Sequence, residues 1–474
     1  MWACAAGAQT GSPLRTTVEL AVNTNPEVTA RFNAYRASID ATDVARSGLF
    51  PHLDLAASVG QNQEVITSNS PQTQTLPQRQ AGLTLSQLLW DGMGTSNDVA
   101  RAGHERLARY FELLDTTEQT ALEAARAHFD VQRYRRMVQL AEDSFVQHRY
   151  TYLQIQSRVK AGVGRGVDLE QAAARVALAE SNLVTETANL HDVAVRYQRI
   201  VGVTPPAELP TIEMLRAGVP ATQTEASNLA VRQSPAISAS IESLRSARAT
   251  VDTDKSAYQP KLEARLRSAA GRNVDLTQNQ NRLSTAEIAL SWNLYNGGAD
   301  QSRVRQQVRL LGQAQDLRDK TCRDAHQTAA IAFNDIRKLQ DQLVYLERNT
   351  LSIEKARDAY RQQFDIGQRS LLDLLNAENE VYTARRAYAN AEYDLGYAYA
   401  RTLAAMNLLG TQLGISRTDN SATDASSWAQ ADDAPTRCPT LAAPVFATDH
   451  AELEARAQRL AATAPGVPAP AAKR

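Results

Sequence analysis

The chain has 474 residues, 43% of them apolar and only 6% aromatic, and a formal net charge of −1. That charge excludes a general nucleic-acid surface, which needs a basic excess to neutralise phosphates. No run of 18 apolar residues offers a spanning helix, so a helical membrane anchor is excluded as well.

Residues 1–13 begin "MWACAAGAQTG", small residues like a signal-peptide cleavage region but without a basic n-region or a full apolar h-region. They read as a residual export signal. Residues 14–201 form a first structural repeat, 202–221 a linker and 222–414 a second repeat. The repeat shows in fixed offsets. Pro26 and Pro235 are 209 residues apart, as are Pro51 and Pro260. "LSQLLWDG" (Leu85 to Gly92) and "LSWNLYNG" (Leu290 to Gly297) are 205 apart, as are Gly162 and Gly367, and Asp168 and Asp373. The offset changes only within the polar segments Gly60–Gln80 and Ala270–Thr285, where loops tolerate length change.

Each repeat predicts a β-hairpin and then two helices. Strands are expected at about 50–60 and 81–91, and at about 259–270 and 285–296. In "PKLEARLRSAA" Leu262, Ala264 and Leu266 alternate with Lys261, Glu263 and Arg265, and ten such residues cross a bilayer at a tilt. Phe50, Trp90, Tyr258 and Tyr295 stand at the strand ends nearest the helices, where an aromatic girdle would lie. Val131, Tyr134, Val138, Ala141, Phe145, His148, Tyr152, Ile155 and Val159 follow steps of three and four. Adding 205 gives a mostly apolar second stripe, from Ile336 through Arg357 to Phe364. This is coiled-coil patterning. Thr95–Lys160 and Gln301–Ile366 would each run on the order of 100 Å. Gly162 and Gly367 read as hinges, with partner helices Asp168–Ile200 and Leu371–Leu409. Residues 415–474, rich in Ala and Pro, read as a disordered tail.

Chemistry-bearing motifs are weak. Cys4, Cys322 and Cys438 are odd in number and far apart, so neither a disulfide framework nor a metal cluster is expected. His104-Glu105 begins like a zinc-protease motif, but Ala108 stands where the second His is needed. "GVGRG" lacks the preceding strand and following Lys-Ser/Thr of a phosphate loop. With no nucleophile–base pair or cofactor loop, neither an enzyme nor a bound cofactor is expected. Four strands per chain would leave two open edges in lipid, so several chains must close one barrel. Two copies give eight strands and three give twelve. A soluble coiled-coil scaffold is the alternative from another class.

The doubled unit, "LSWNLYNGG" after a polar loop, and "IGQRSLLDLLNAENEVYTAR" together resemble the TolC family of outer-membrane channel-tunnel proteins over roughly Leu14 to Gly414. The last segment fits that family's Gly-x-Arg-x-x-x-Asp-x-x-x-Ala tip. The resemblance implies a homotrimer in the outer membrane, with a twelve-stranded transmembrane β-barrel and a periplasmic α-barrel rod of coiled coils. It also implies an inner-membrane ABC transporter and a periplasmic adaptor as partners. Within the family the chain looks most like the type I secretion branch, for export of a protein toxin of the adenylate cyclase-haemolysin kind. Small-molecule efflux is the other transport reading. By the same match Asp373 is the acid of a carboxylate ring at the tunnel mouth, and Asn376 stands where relatives have a second acid. Asp168 accepts a gate-holding contact from Arg369, and Phe364 replaces a tyrosine. A ring of carboxylates favours cations, and the missing acid and hydroxyl imply a weaker ring and a looser gate. The plain alternative for Asp168 is a helix N-cap.

Overall fold

The computed structural model describes residues 12–67, 72–209, 212–274, 279–415, 438 and 449–462. The element order runs twice. Helices α1 (Pro13–Thr24) and α2 (Pro26–Ser47) precede strands β1 (His52–Ile66) and β2 (Gln72–Trp90), then helices α3 (Gly94–Lys160) and α4 (Gly166–Val201). The second pass is α5 (Gln223–Gln233), α6 (Pro235–Lys255), β3 (Lys261–Arg272), β4 (Gln280–Ser291), α7 (Ala299–Asp365) and α8 (Leu371–Ala405), closed by the short α9 (Leu409–Gln412). Residues 1–11 of the expected export signal lie outside the described residues. Of the expected tail, only Ile415, Cys438 and 449–462 are described. Residues 441–474 are a separate unit whose described part carries α10 (His450–Ala462).

The prolines that mark the repeat are helix starters. Pro26 and Pro235 occupy first helical positions behind the caps Asn25 and Ser234. Their side chains accept the N–H groups of Glu27 at 2.9 Å and Ile237 at 3.3 Å. Proline loses nothing there, because that N–H has no helical partner in any case. Both α3 and α7 are 67 residues long and free of proline. Each extends roughly 100 Å at 1.5 Å per residue.

The main core lies midway along these helices. Leu14 and Val18 of α1, Phe129 and Val131 of α3, Tyr197 and Ile200 of α4, Ala230 of α5, Phe333 of α7 and Leu403 of α8 bury one another there. The alanines Ala121, Ala124, Ala125 and Ala329 let the helices approach closely. Inside this belt Thr17 Oγ1 lies 3.0 Å from His128 Nδ1 and 3.1 Å from the Tyr197 hydroxyl. Burial, together with the nearby Arg135 charge, lowers the His128 pKa to about 4, so the ring is neutral.

Cys322 of α7 is disulfide-bonded to Cys438, with 5.6 Å between their Cα atoms. This corrects the expectation drawn from cysteine spacing. A separation of 116 residues says nothing about distance once a long helix has been folded back. The pair packs beside Val231, Ile237 and Ile241. In the chain-entropy account a loop of that size is worth about 4–5 kcal/mol.

Glu118 of α3 receives the backbone N–H groups of Leu409 at 2.7 Å and Gly410 at 3.3 Å, capping α9. Burial pushes its pKa up to about 7, against the pull of those two donors and with a further push from Asp115. Between about 4.5 and about 7 the folded protein therefore holds a proton that the unfolded chain has released. Stability must fall as pH rises through that window. Melting temperatures at pH 5 and pH 7.5 should show the wild type losing stability, with Glu118→Gln nearly flat. Equal slopes in the two proteins would remove Glu118 from the account.

Candidate functional site

The two helical hairpins end in the same turn. The Gly162 N–H donates to the Val159 carbonyl and the Val163 N–H to Arg158, both at 3.0 Å. The Gly367 N–H likewise donates to Phe364 at 3.0 Å, and Gln368 N–H to Gln363 at 2.8 Å. This is the Schellman C-cap, which needs a left-handed residue after the helix. Gly162 and Gly367 supply it with φ of 76° and 78°. Among the described residues, and apart from the adjoining backbone, no atom lies within 4 Å of where either Cβ would be, so backbone conformation selects glycine.

Beyond the turns, Phe364 packs with Ile155, Ala172, Leu371, Leu374 and Leu375, drawing one residue set from all four long helices. The Arg158 guanidinium lies 5.2 Å over its ring. Asp373 is the third residue of α8. Its N–H donates to Ser370 Oγ at 3.2 Å, and that hydroxyl donates to Asp373 Oδ2 at 2.9 Å. Arg369 lies 3.7 Å from the same oxygen, donates to Gln363 at 3.1 Å and sits 4.8 Å over the Tyr360 ring. Asp168 is the third residue of α4, whose N-cap is Arg165, so it is not the cap. It makes no ion pair among the described residues, and Arg369 does not reach it within one chain. Asn376 accepts a hydrogen bond from Arg175 of α4 at 2.8 Å, tying the two hairpins together beside the tip.

A deeper set of ties was not visible in the sequence. Glu378 of α8, with its side chain only 5% exposed, accepts from Arg357 of α7 at 3.1 Å and makes a close contact with Arg361. Arg361 also donates to Gln147 of α3 at 2.9 Å. Arg386 of α8 pairs with buried Glu186 of α4, and Arg133 of α3 with Asp394 of α8 at 2.5 Å. The one signal was Arg357 itself, which breaks the apolar stripe where the first repeat has Tyr152.

At the other end the four strands form one antiparallel sheet in the order β1-β2-β3-β4. The β2–β3 pairing joins the two repeats. The first hairpin outruns its expected spans, whereas β3 and β4 keep the expected length and are shifted along the chain. The ladder continues from His52↔Ser86 to Ile66↔Gln72, through residues read as a polar loop, because ladder bonds do not require apolar alternation. β4 ends at Ser291, so Tyr295 lies beyond it. Directly opposed residues share a face. One face carries Leu53↔Leu85↔Leu266↔Ala286, Leu55↔Leu83 and Leu262↔Leu290. The other carries Asp54, Arg265, Arg267 and Glu287. The apolar face is bare, with Leu55 72%, Ile288 69% and Leu290 66% exposed. Phe50, Trp90, Tyr258 and Tyr295 are exposed at its helix-side border, where the Trp292 indole donates to the Tyr258 carbonyl at 3.1 Å. No helix among the described residues is long and apolar enough to cross a membrane.

A bare apolar sheet face of spanning length, carried on a pair of folded-back 67-residue helices, defines a membrane channel chain with a long helical extension. The outer membrane efflux protein family model matches residues 18–203 and again 226–408, and the chain belongs to that family. The outer membrane efflux protein BepC of Brucella suis is 24% identical over 393 residues, 81% of this chain and 84% of that one. The alkaline protease secretion protein AprF of Pseudomonas aeruginosa is 23% identical over 406 residues, 81% and 82% of the two chains. The outer membrane protein TolC of Escherichia coli is 23% identical over 393 residues, 78% and 77%. Among solved structures, the CmeC outer membrane channel of Campylobacter jejuni superposes with a TM-score of 0.76 at 15% identity, covering 87% of this chain and 88% of its own. The open state of the MtrE channel of Neisseria gonorrhoeae gives 0.70 at 16%, covering 84% and 89%. Proteins of this family are outer-membrane transport ducts, not enzymes. They work as trimers with a periplasmic adaptor and an inner-membrane transporter. This chain is accordingly an outer-membrane export channel with a long periplasmic extension.

Proposed function

We propose that three copies of this chain close a twelve-stranded barrel and form the exit duct of a type I secretion system for a protein toxin. The observation that carries the oligomer is the single-chain sheet. Its β1 and β4 edges lack strand partners among the described residues, and unpaired edges cannot stand in hydrocarbon. Twelve strands leave an open lumen, whereas eight fill with side chains. Val146, Tyr150, Leu153, Val184, Tyr345 and Leu351 are also exposed along the long helices and would be covered by neighbouring copies. A soluble scaffold would leave the apolar sheet face in water.

In this assembly residues 14–201 and 222–414 act as the two repeats, 202–221 as the equatorial linker and 415–474 as a periplasmic tail. The inner-membrane partner is an ABC transporter, reached through the adaptor at the helical tips. Asp373 appears three times around the mouth as a carboxylate ring, with Asn376 diverted to Arg175. Arg369 swings from Asp373 to Asp168 of an adjacent copy and holds the tip closed. Support for protein cargo comes from the name of the Pseudomonas relative, which is a secretion protein, and the adenylate cyclase-haemolysin kind of toxin is the cargo class proposed. The name of the Brucella relative favours a second reading, small-molecule efflux. Deleting the gene decides between them. Loss of one large protein from the culture medium with unchanged drug sensitivity supports secretion; the reverse pattern supports efflux.

A further inference from the structure

We propose that the exposed sheet face binds a phosphorylated lipid of the outer leaflet through Arg79, Arg272 and Arg282, a site that rests on the barrel reading above. Arg79 of β2 is the direct cross-strand partner of Arg272 of β3. Arg282 of β4 opposes Ala270, which stands two residues before Arg272 on the same face. By register all three share the face of Leu55, Leu83, Leu266 and Ile288. They lie at the end of the sheet away from the helices, and all three are exposed.

Like charges set directly opposite across a ladder destabilise it. These three have no carboxylate partner among the described residues, whereas Arg265 on the other face pairs with Glu263 at 2.9 Å. Anionic phosphate set between the guanidinium groups removes that repulsion and offers bidentate acceptors. The surface beneath them is shaped for a bulky ligand. Ala57, Ala81 and Ala270 make one cross-strand row of small side chains, forming the floor of a shallow depression walled by Val59 and the arginines.

Position fixes the kind of ligand. From the Trp90↔Leu262 row to the Arg79↔Arg272 row is ten residues along β3. At about 3.3 Å per residue and a tilt of about 40° that is roughly 25 Å along the membrane normal, the height of an outer-membrane apolar band. The arginines therefore stand level with the headgroups of the outer leaflet, and the leucines below them level with the acyl chains. A ligand meeting both needs phosphate monoesters and several acyl chains on one molecule.

The test uses the full-length trimer in detergent and lipid A as the probe, with conductance in a planar bilayer measured on the same samples. The triple variant R79Q/R272Q/R282Q should conduct as the wild type does. It should bind lipid A on the order of tenfold or more weakly, and the wild type should bind dephosphorylated lipid A no better than the variant binds the intact lipid. A triple variant that conducts and binds lipid A as tightly as the wild type overturns the site and leaves the duct standing. Displacement of lipid A from the wild type by millimolar inorganic phosphate also overturns it, by making the site a plain anion site. Failure of the wild type itself to insert is instead the failure of the barrel reading.

Discussion

Replacing Glu378 with alanine should lower the melting temperature of the purified protein more than any single change at the tip turns. Its carboxylate is almost wholly enclosed and is shared by Arg357 and Arg361, whose side chains are 14% and 34% exposed. Removing the acid leaves Arg361 without a counter-charge and Arg357 with only the exposed Asp358, 2.7 Å away. Breaking a buried pair in this way costs about 3 kcal/mol or more, because the surviving charge is stranded rather than resolvated. For a chain of this length the shift is on the order of 1 °C per kcal/mol, so this is a fall of roughly 3–5 °C. Glu378→Gln keeps one acceptor and the side-chain volume and should fall between the two. A cycle combining Glu378→Gln with Arg361→Gln should give a coupling of about 1 kcal/mol or more. Alanine melting at the wild-type temperature would show that Arg357 and Arg361 find other partners. The contacts that would then have to suffice are ones already made, Arg357 to Asp358 at 2.7 Å and Arg361 to Gln147 at 2.9 Å.

The second large effect is on gating. Within one chain Arg369 touches Asp373, Gln363 and the Tyr360 ring, while Asp168 has no ionic partner among the described residues. If Arg369 reaches Asp168 of the next copy in the closed trimer, Arg369→Ala and Asp168→Ala should open the channel alike, and the double variant should add nothing further. A half-exposed pair is worth at most about 1 kcal/mol. Three equivalent pairs sum to about 3 kcal/mol, which would raise the open population on the order of a hundredfold. If Asp373 were the partner that matters, Asp373→Ala would open the channel and Asp168→Ala would not. Conductance traces of the three single variants separate the cases.

Much of this fold could be read from the sequence because it is written in periods. The 3-4 stripe from Val131 to Val159 and its copy 205 residues later are the faces found buried or half-buried on α3 and α7. Gly162 and Gly367 marked both turns because a left-handed C′ position strongly selects glycine. The features with no local signal depend on residues distant in the chain. The Gln147–Arg361–Glu378 tie, the Arg175–Asn376 hydrogen bond and the Cys322–Cys438 bond join positions 17 to 214 residues apart, and no local pattern announces them. The ends of the first hairpin's strands differ from the alternation pattern for a different reason. Alternation fades at Gly60, yet the β1–β2 ladder runs on to Ile66↔Gln72, because backbone pairing continues where neither face needs to be apolar. Arg369 shows the limit most clearly: its partner in the chain is four residues away, and its proposed partner lies in another copy.

Single-channel conductance of the detergent-purified protein in a planar bilayer, with Asp373→Ala beside it under a potassium chloride gradient, decides whether the chain forms a trimeric duct with Asp373 at its mouth. The trimeric duct predicts discrete, long-lived channels in both proteins and a clear loss of cation selectivity in the variant, since three carboxylates leave the mouth together. Channels of unchanged selectivity would take Asp373 out of the pore, and a protein that never inserts would contradict the duct itself.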